Sequence, residues 1–244
     1  MRHALMTGRE ISQPLRQTVL PEPECGTDLN GMRVAARYHA ADQAVGVGGD
    51  WYLSDPLPCG DLLLAVGDVV GHGLAAAGPM VQLRHAMAAL AAAGHGPGEI
   101  LTALNGLLCR QRAGTMATAV VATYRPLDRK LTWARAGHPP ILRANRDGVE
   151  PLWEPAGAIL GAFPDVGYTH TAGRLAADEL LVMYTDGYVE EPGRDVDDGL
   201  RQLGDHASSV MRGPATDGPT AVVDRLRRRN PRDDACVLAA APLG

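Results

Sequence analysis

Aromatic side chains are scarce in this 244-residue chain: they make up 4% of it, with a single phenylalanine. A core without them has to be built from Ala, Val and Leu, and an apolar fraction of 45% is enough for a sizeable one. Long hydrophobic runs are missing as well. The longest, such as residues 86–93, are far too short to cross a bilayer, and Met1-Arg2-His3 does not lead into the apolar segment of a secretory signal. No C-x-x-C pair occurs among Cys25, Cys59, Cys109 and Cys236, so reduced thiols in a cytoplasmic protein are expected rather than a disulfide frame. Positive charge is not in excess. The net charge of −5 offers no basic stripe for nucleic acid, and the cluster Arg225, Arg227, Arg228, Arg229 and Arg232 reads as a solvated helix face and loop. A phosphate-cradling Gly-x-x-x-x-Gly-Lys loop is also absent, which argues against nucleotide chemistry.

No glycine/serine-rich or proline-rich linker divides the chain, which favours one domain over residues 25–244 behind an N-terminal helical extension, 1–24. Within that extension Ile11, Leu15 and Val19 predict a helix over 9–19, stopped by Pro21 and Pro23. Such a helix is marginal alone, so it is expected to pack on the domain or to pair with a second copy in a homodimer. Strands are predicted at 32–36, 62–66, 118–124, 130–135, 141–143, 180–184 and 237–240. Helices are predicted at 74–93, 99–112, 198–211 and 219–229. This mixed order opposes regular βαβ alternation and points to an α+β layered fold with antiparallel sheets.

What stands out against this background is acid beside glycine. The segments Gly48-Gly49-Asp50, Gly67-Asp68-Val69-Val70-Gly71-His72-Gly73, Thr185-Asp186-Gly187 and Asp233-Asp234-Ala235 all read as turns at apolar runs of strand type. A fold gathering them would oppose carboxylates at ~5 Å, each pair repelling by roughly 3 kcal/mol at an effective dielectric of ~20. Cations would be required, and hard oxygen donors select Mg²⁺ or Mn²⁺ over zinc. Two such ions, about 3.5–4 Å apart, would turn a shared water into hydroxide near neutral pH and offset charge on a phosphoryl group. Taken singly, each motif has an ordinary reading as a turn, a helix start or a solvated loop.

The ordered set Val47-Gly48-Gly49-Asp50-Trp51-Tyr52, Gly67 to Gly73, Ala136-Gly137-His138-Pro139-Pro140, Tyr184-Thr185-Asp186-Gly187 and Asp233-Asp234 resembles the metal-dependent (PPM-type) serine/threonine protein phosphatases, in their bacterial sporulation and stress-response branch. The resemblance runs from about Met32 to Leu238, and residues 15–21 are similar to the stretch that precedes this domain in the family. It implies a four-layer α/β/β/α sandwich of two antiparallel sheets flanked by helices. It implies two ions, Mn²⁺ or Mg²⁺, at one end: Asp68 bridging both, Asp50 and the Val69 carbonyl on one, Asp186 and Asp233 on the other. Asp234 falls where asparagine is common and reads as an outer partner. A metal-bound hydroxide would then hydrolyse phosphoserine or phosphothreonine in a protein, with an anti-sigma-factor antagonist as the implied partner.

Two positions depart from the family. Leu53 replaces a carboxylate after Trp51-Tyr52, and no arginine lies within several residues upstream of Asp50, where eukaryotic relatives place a phosphate-binding guanidinium. Weak phosphate binding is implied. Only short helices are expected between Asp186 and Asp233, hence a small flap. His72 and His138 read as structural, at a helix start and a proline-flanked turn, with a general-acid or ligand role as the alternative. Trp51, Met80, Leu83 and Met87 read as core. Two further functions remain open: a non-catalytic regulatory module of the same fold, and a two-metal hydrolase of small phosphoesters. With about 25 residues before the domain, either a stand-alone enzyme or one controlled by a partner or by dimerisation through residues 9–19 is expected.

Overall fold

Apolar runs bounded by tight turns pair here into two antiparallel sheets, and every helix covers an outer face. The structure is a computed structural model; it describes residues 26–41, 46–111, 114–213 and 218–244. The helix expected at 9–19, and the dimer built on it, lie outside the described residues. In chain order the first half holds β1 (Thr27–Leu29), β2 (Met32–His39), β3 (Asp50–Pro56) and β4 (Leu62–Val69), then α1 (Gly73–Ala92) and α2 (Pro97–Arg110). The second half adds β5 (Ala117–Arg125), β6 (Lys130–Ala136), β7 (Ile141–Ala144), β8 (Val149–Leu152), β9 (Thr171–Arg174) and β10 (Leu180–Tyr184). A 3-10 turn (Asp186–Tyr188), α3 (Val196–Arg212), α4 (Gly218–Arg225) and β11 (Ala235–Pro242) complete it.

One sheet runs β1-β2-β11-β10-β7-β8 and the other β3-β4-β5-β6-β9. The helices α1 and α2 lie on the five-stranded sheet, while α3 and α4 lie on the six-stranded one. The result is the expected α/β/β/α sandwich. Leu62 to Val66 of β4 are fully buried because one face meets the opposite sheet and the other meets α1. The Ala-rich α1 seals its face with Met80, Leu83 and Met87, spaced three and four residues apart and without exposure. A second apolar cluster, including Leu203, Ala207, Val222 and Val223, lies beneath α3 and α4.

Four strands were not predicted. In β3 only Trp51, Tyr52 and Leu53 are apolar before Ser54 and Asp55, and β9 reads Thr-Ala-Gly-Arg. Both exist through their register with a neighbour, a tertiary property that overrides local preference. The short β1 and β8 form the two edges of the six-stranded sheet. Two helix expectations also change. The chain between Asp186 and Asp233 carries the 17-residue α3, which is not short, and α4 ends at Arg225 rather than 229.

Candidate metal centre

The two acidic motifs expected in turns are held by strands. Register places Asp50 directly opposite Asp68, and Asp68 opposite Thr118, so the three side chains form one row across β3, β4 and β5. Opposed like charges destabilise a sheet, yet Asp50 is only 1% exposed. Its row faces the other sheet, where the Thr185 hydroxyl donates to Asp50 Oδ2 at 2.7 Å while accepting from the Cys236 amide at 2.8 Å. Thr185 thus ties β10, β11 and β3 together and brings Asp186, the next residue, to the same end of the sandwich. Asp233 and Asp234 arrive from the turn that starts β11.

Glycine is required here for close approach rather than for an unusual φ. A Cβ on Gly48 would lie 1.7 Å from Asp234 Oδ2, and one on Gly49 would lie 2.4 Å from the Val69 carbonyl and 3.1 Å from Asp68 Oδ1. The buried Asp234 carboxylate accepts from the Gly49 amide at 2.9 Å and from the Ala41 amide at 2.8 Å. It pins the segment that leads into Asp50. Trp51, on the opposite face, lies flat on Gly67, where any Cβ would fall 2.2 Å from the ring.

Electrostatics confirm one shared neighbourhood. Burial first, then the Asp68 charge, raises the Asp50 carboxyl well above the usual range, against the Thr185 hydrogen bond. Burial and then Asp186 push Asp68 up to about 7, and its carboxyl is within hydrogen-bonding reach of Asp50. Burial, then Asp233 and Glu190, push Asp186 up to about 6. Even so, among the described residues no three His, Cys, Asp or Glu side chains converge as a ready metal cage. The two facts measure different ranges: the charges act on each other across one cleft, but the ligand distances are not closed. The donor set nonetheless fits hard divalent cations. It is all oxygen, it includes the Val69 carbonyl beside Asp68, and among the described residues no guanidinium or ammonium comes within 4.0 Å of these carboxylates.

His138 belongs to the frame. It is 1% exposed, its Nδ1 is 2.8 Å from Thr118 Oγ1, and its Nε2 is 3.0 Å from the Tyr184 carbonyl. A carbonyl only accepts, so Nε2 carries the hydrogen and Nδ1 accepts from Thr118. Burial pushes its pKa down to about 3, leaving a neutral imidazole that bolts β5 of one sheet to β10 of the other. His72, at the start of α1, is exposed and makes no side-chain cap. Of the arginine cluster, Arg225, Arg227 and Arg232 are exposed as expected, whereas Arg228 and Arg229 are half-buried: Arg228 donates to the Ala40 carbonyl, and the Arg229 guanidinium reaches Glu191.

Asp68 and Asp186, but not Asp50 or Asp233, line a cleft of about 320 Å³ together with Arg135, His138, Trp153 and Glu190 among others. Arg135, Trp153, Thr118 and the Thr185 hydroxyl were not singled out from the sequence. A lone arginine three residues before His138 carries no local signal; its position emerges only from strand pairing.

Two packed antiparallel sheets with helices outside and carboxylates at one end define the PP2C-type fold. The chain belongs to the Stage II sporulation protein E (SpoIIE) family, which matches residues 58–242. It is 27% identical over 184 residues to the phosphoserine phosphatase RsbU of Bacillus subtilis (strain 168), covering 74% of this chain and 51% of RsbU. The chain therefore spans about half the length of that curated relative. Among solved structures, the RsbU and RsbW domains of Rv1364c from Mycobacterium tuberculosis superpose with a TM-score of 0.75 at 29% identity, over 88% of this chain and 61% of that one. The SiaA-PP2C domain of Pseudomonas aeruginosa shares the fold, with a TM-score of 0.74 at 21% identity over 95% and 93% of the two chains. Among the described residues no helix is long and apolar enough to cross a membrane, and Cys59, Cys109 and Cys236 are free.

Proposed function

We propose that this chain is a metal-dependent phosphoprotein phosphatase acting on phosphoserine or phosphothreonine in the cytoplasm, with an anti-sigma-factor antagonist as its protein substrate. The observation that carries this reading is the gathering of buried and half-buried, mutually repelling carboxylates at one end of a PP2C-type sandwich in a SpoIIE-family chain. Asp50, Asp68, Asp186, Asp233 and the Val69 carbonyl would hold two Mn²⁺ or Mg²⁺ ions. When bound, such ions supply an acidified water and neutralise phosphoryl charge. The chain's own part is orientation. Thr185 holds Asp50, Asp234 holds the Gly48-Gly49 approach, and His138 sets the distance between the two sheets. The substrate assignment draws on relatives named phosphoserine phosphatases. The test is release of phosphate from a phosphorylated antagonist protein with Mn²⁺ and with a chelator. Turnover in Mn²⁺ and none in chelator is expected; equal rates in both would end the reading.

A second reading, a partner-binding module without catalysis, is favoured by the lack of a closed three-residue cage among the described residues. Calorimetric titration separates the two. Heat of Mn²⁺ binding that vanishes in Asp68→Asn supports the enzyme, whereas no heat with the unaltered protein supports the module.

A further inference from the structure

The cleft that holds Asp68 and Asp186 has one basic side chain among its described lining residues, that of Arg135. Its position is set by the sheet. Arg135 pairs with Val120, two residues along β5 from Thr118, so it projects from the same face as Asp50, Asp68 and Thr118, one row further in. Its guanidinium is held by neutral groups. Nη1 donates to the His138 carbonyl at 2.5 Å, Nη2 donates to the Trp153 carbonyl, and the guanidinium carbon stands 5.6 Å over the Trp153 ring.

Five N–H donors meet two carbonyls, and the buried Nε has no acceptor. Among the described residues no carboxylate comes within 4.0 Å. Glu154 acts on the guanidinium electrostatically but makes no ion pair, its carboxylate accepting from the Ala156 amide instead. A half-buried cation fixed by neutral groups, facing a cleft whose other charged lining residues are all acidic, is matched to an anionic ligand. Trp153 is 51% exposed beside it, an aromatic edge at the rim.

We propose that Arg135, backed by Trp153, is the phosphoryl-binding arm of this cleft: it takes the non-bridging oxygens of the substrate's phosphoryl group. This rests on the phosphatase reading for the substrate's identity, but not for the binding itself. It replaces from β6 the guanidinium that the sequence lacks upstream of Asp50. A phosphoryl oxygen would take the N–H donors left over by the two carbonyls, and the planar fork would orient the group in a way that a lysine could not.

The experiment is titration of inorganic phosphate into the Mn²⁺-loaded protein, followed by calorimetry, for the unaltered chain, Arg135→Lys and Arg135→Ala. Loss of a charge-assisted pair predicts phosphate binding about 10-fold weaker or more in Arg135→Ala, with Arg135→Lys in between. With a phosphopeptide, the loss should fall more on KM than on kcat. Should Arg135→Ala fail to fold, a several-fold loss in Arg135→Lys carries the test, because charge is kept and only the fork is removed. Phosphate affinity within two-fold of the unaltered chain in both variants overturns the proposal. So does the absence of phosphate binding by the unaltered chain, or a loss matched by an equal loss of Mn²⁺ affinity, which would make Arg135 only a clip for its loop. Arg135-dependent phosphate binding without any phosphoprotein turnover would instead overturn the phosphatase reading and leave the arm standing.

Discussion

The two walls of the cleft solve opposite electrostatic problems. One side, half-buried Asp68 and Asp186 with buried Asp50 behind them, crowds negative charge together and raises its own proton affinity. The other, His138 and Arg135, has a neutral imidazole and a cation whose partners are carbonyls and a ring face. The acidic side repels itself, and cations would relieve that repulsion. On the other side the imidazole is satisfied by itself, since each of its nitrogens has a partner, while Arg135 keeps donors to spare. The difference teaches where function would be stored under the proposed reading: strain sits in the side that would bind the ions, and rigidity in the side that would frame them.

The largest expected effect tests the strained wall. Asp68→Asn keeps the shape and removes one charge, so phosphoprotein turnover should fall by more than about 100-fold, beyond the loss caused by altering outer partners of a metal ligand. The same change relieves repulsion among the carboxylates. In chelator the variant should therefore melt at or above the temperature of the unaltered protein, and the rise in Tm on adding Mn²⁺ should disappear. A thermal melt with and without Mn²⁺ checks both. If Asp68→Asn were less stable in chelator, the acidic wall would not be the strained one.

A smaller effect is expected where backbone meets that wall. Gly48→Ala would drive a methyl into Asp234, displacing a carboxylate that accepts two backbone amides. Overpacking together with unsatisfied buried groups should cost roughly 3 kcal/mol in denaturant unfolding. Gly148→Ala, with nothing within 4 Å of its added Cβ, should stay within about 0.5 kcal/mol. Equal costs at both sites would show that the approach at Gly48 is not tight.

How much of this was legible in the sequence follows the same division. Asp50, Asp68 and Asp186 could be picked out as candidates because acid beside glycine at apolar runs is a local pattern, and Asp233 as the first of an acidic pair before an apolar run. Their local geometry could not. Asp50 and Asp68 lie inside β3 and β4 rather than in turns, because cross-strand register continues the ladder through them. The core helices α1 and α2 were visible in their apolar spacing, whereas β3 and β9 carry too few apolar residues to announce a strand. Arg135 was invisible since nothing local distinguishes an arginine on a strand; only its pairing with Val120 and its reach to Trp153 place it in the cleft. His138 could be read as part of a turn, but the partners that fix its ring, Thr118 and Tyr184, are 20 and 46 residues away.

The smallest expected effect probes the rigid wall through pH. The unfolded imidazole titrates near 6.5, while in the fold burial holds it down to about 3. Below about 6.5 the unfolded chain binds a proton that the folded chain refuses, so stability is fully present above that pH and drains away as pH falls toward 3. At pH 5 the loss from this group alone should be about 2 kcal/mol. His138→Gln keeps an amide donor for the Tyr184 carbonyl and an acceptor for Thr118 but cannot titrate. It should cost roughly 1–3 kcal/mol at pH 7.5, through imperfect geometry, and markedly less at pH 5, where the unaltered chain has lost its advantage. Urea unfolding at the two pH values measures the convergence. Parallel curves, with the same gap at both, would mean that the imidazole protonates in place, and that this wall yields to charge as readily as the acidic one.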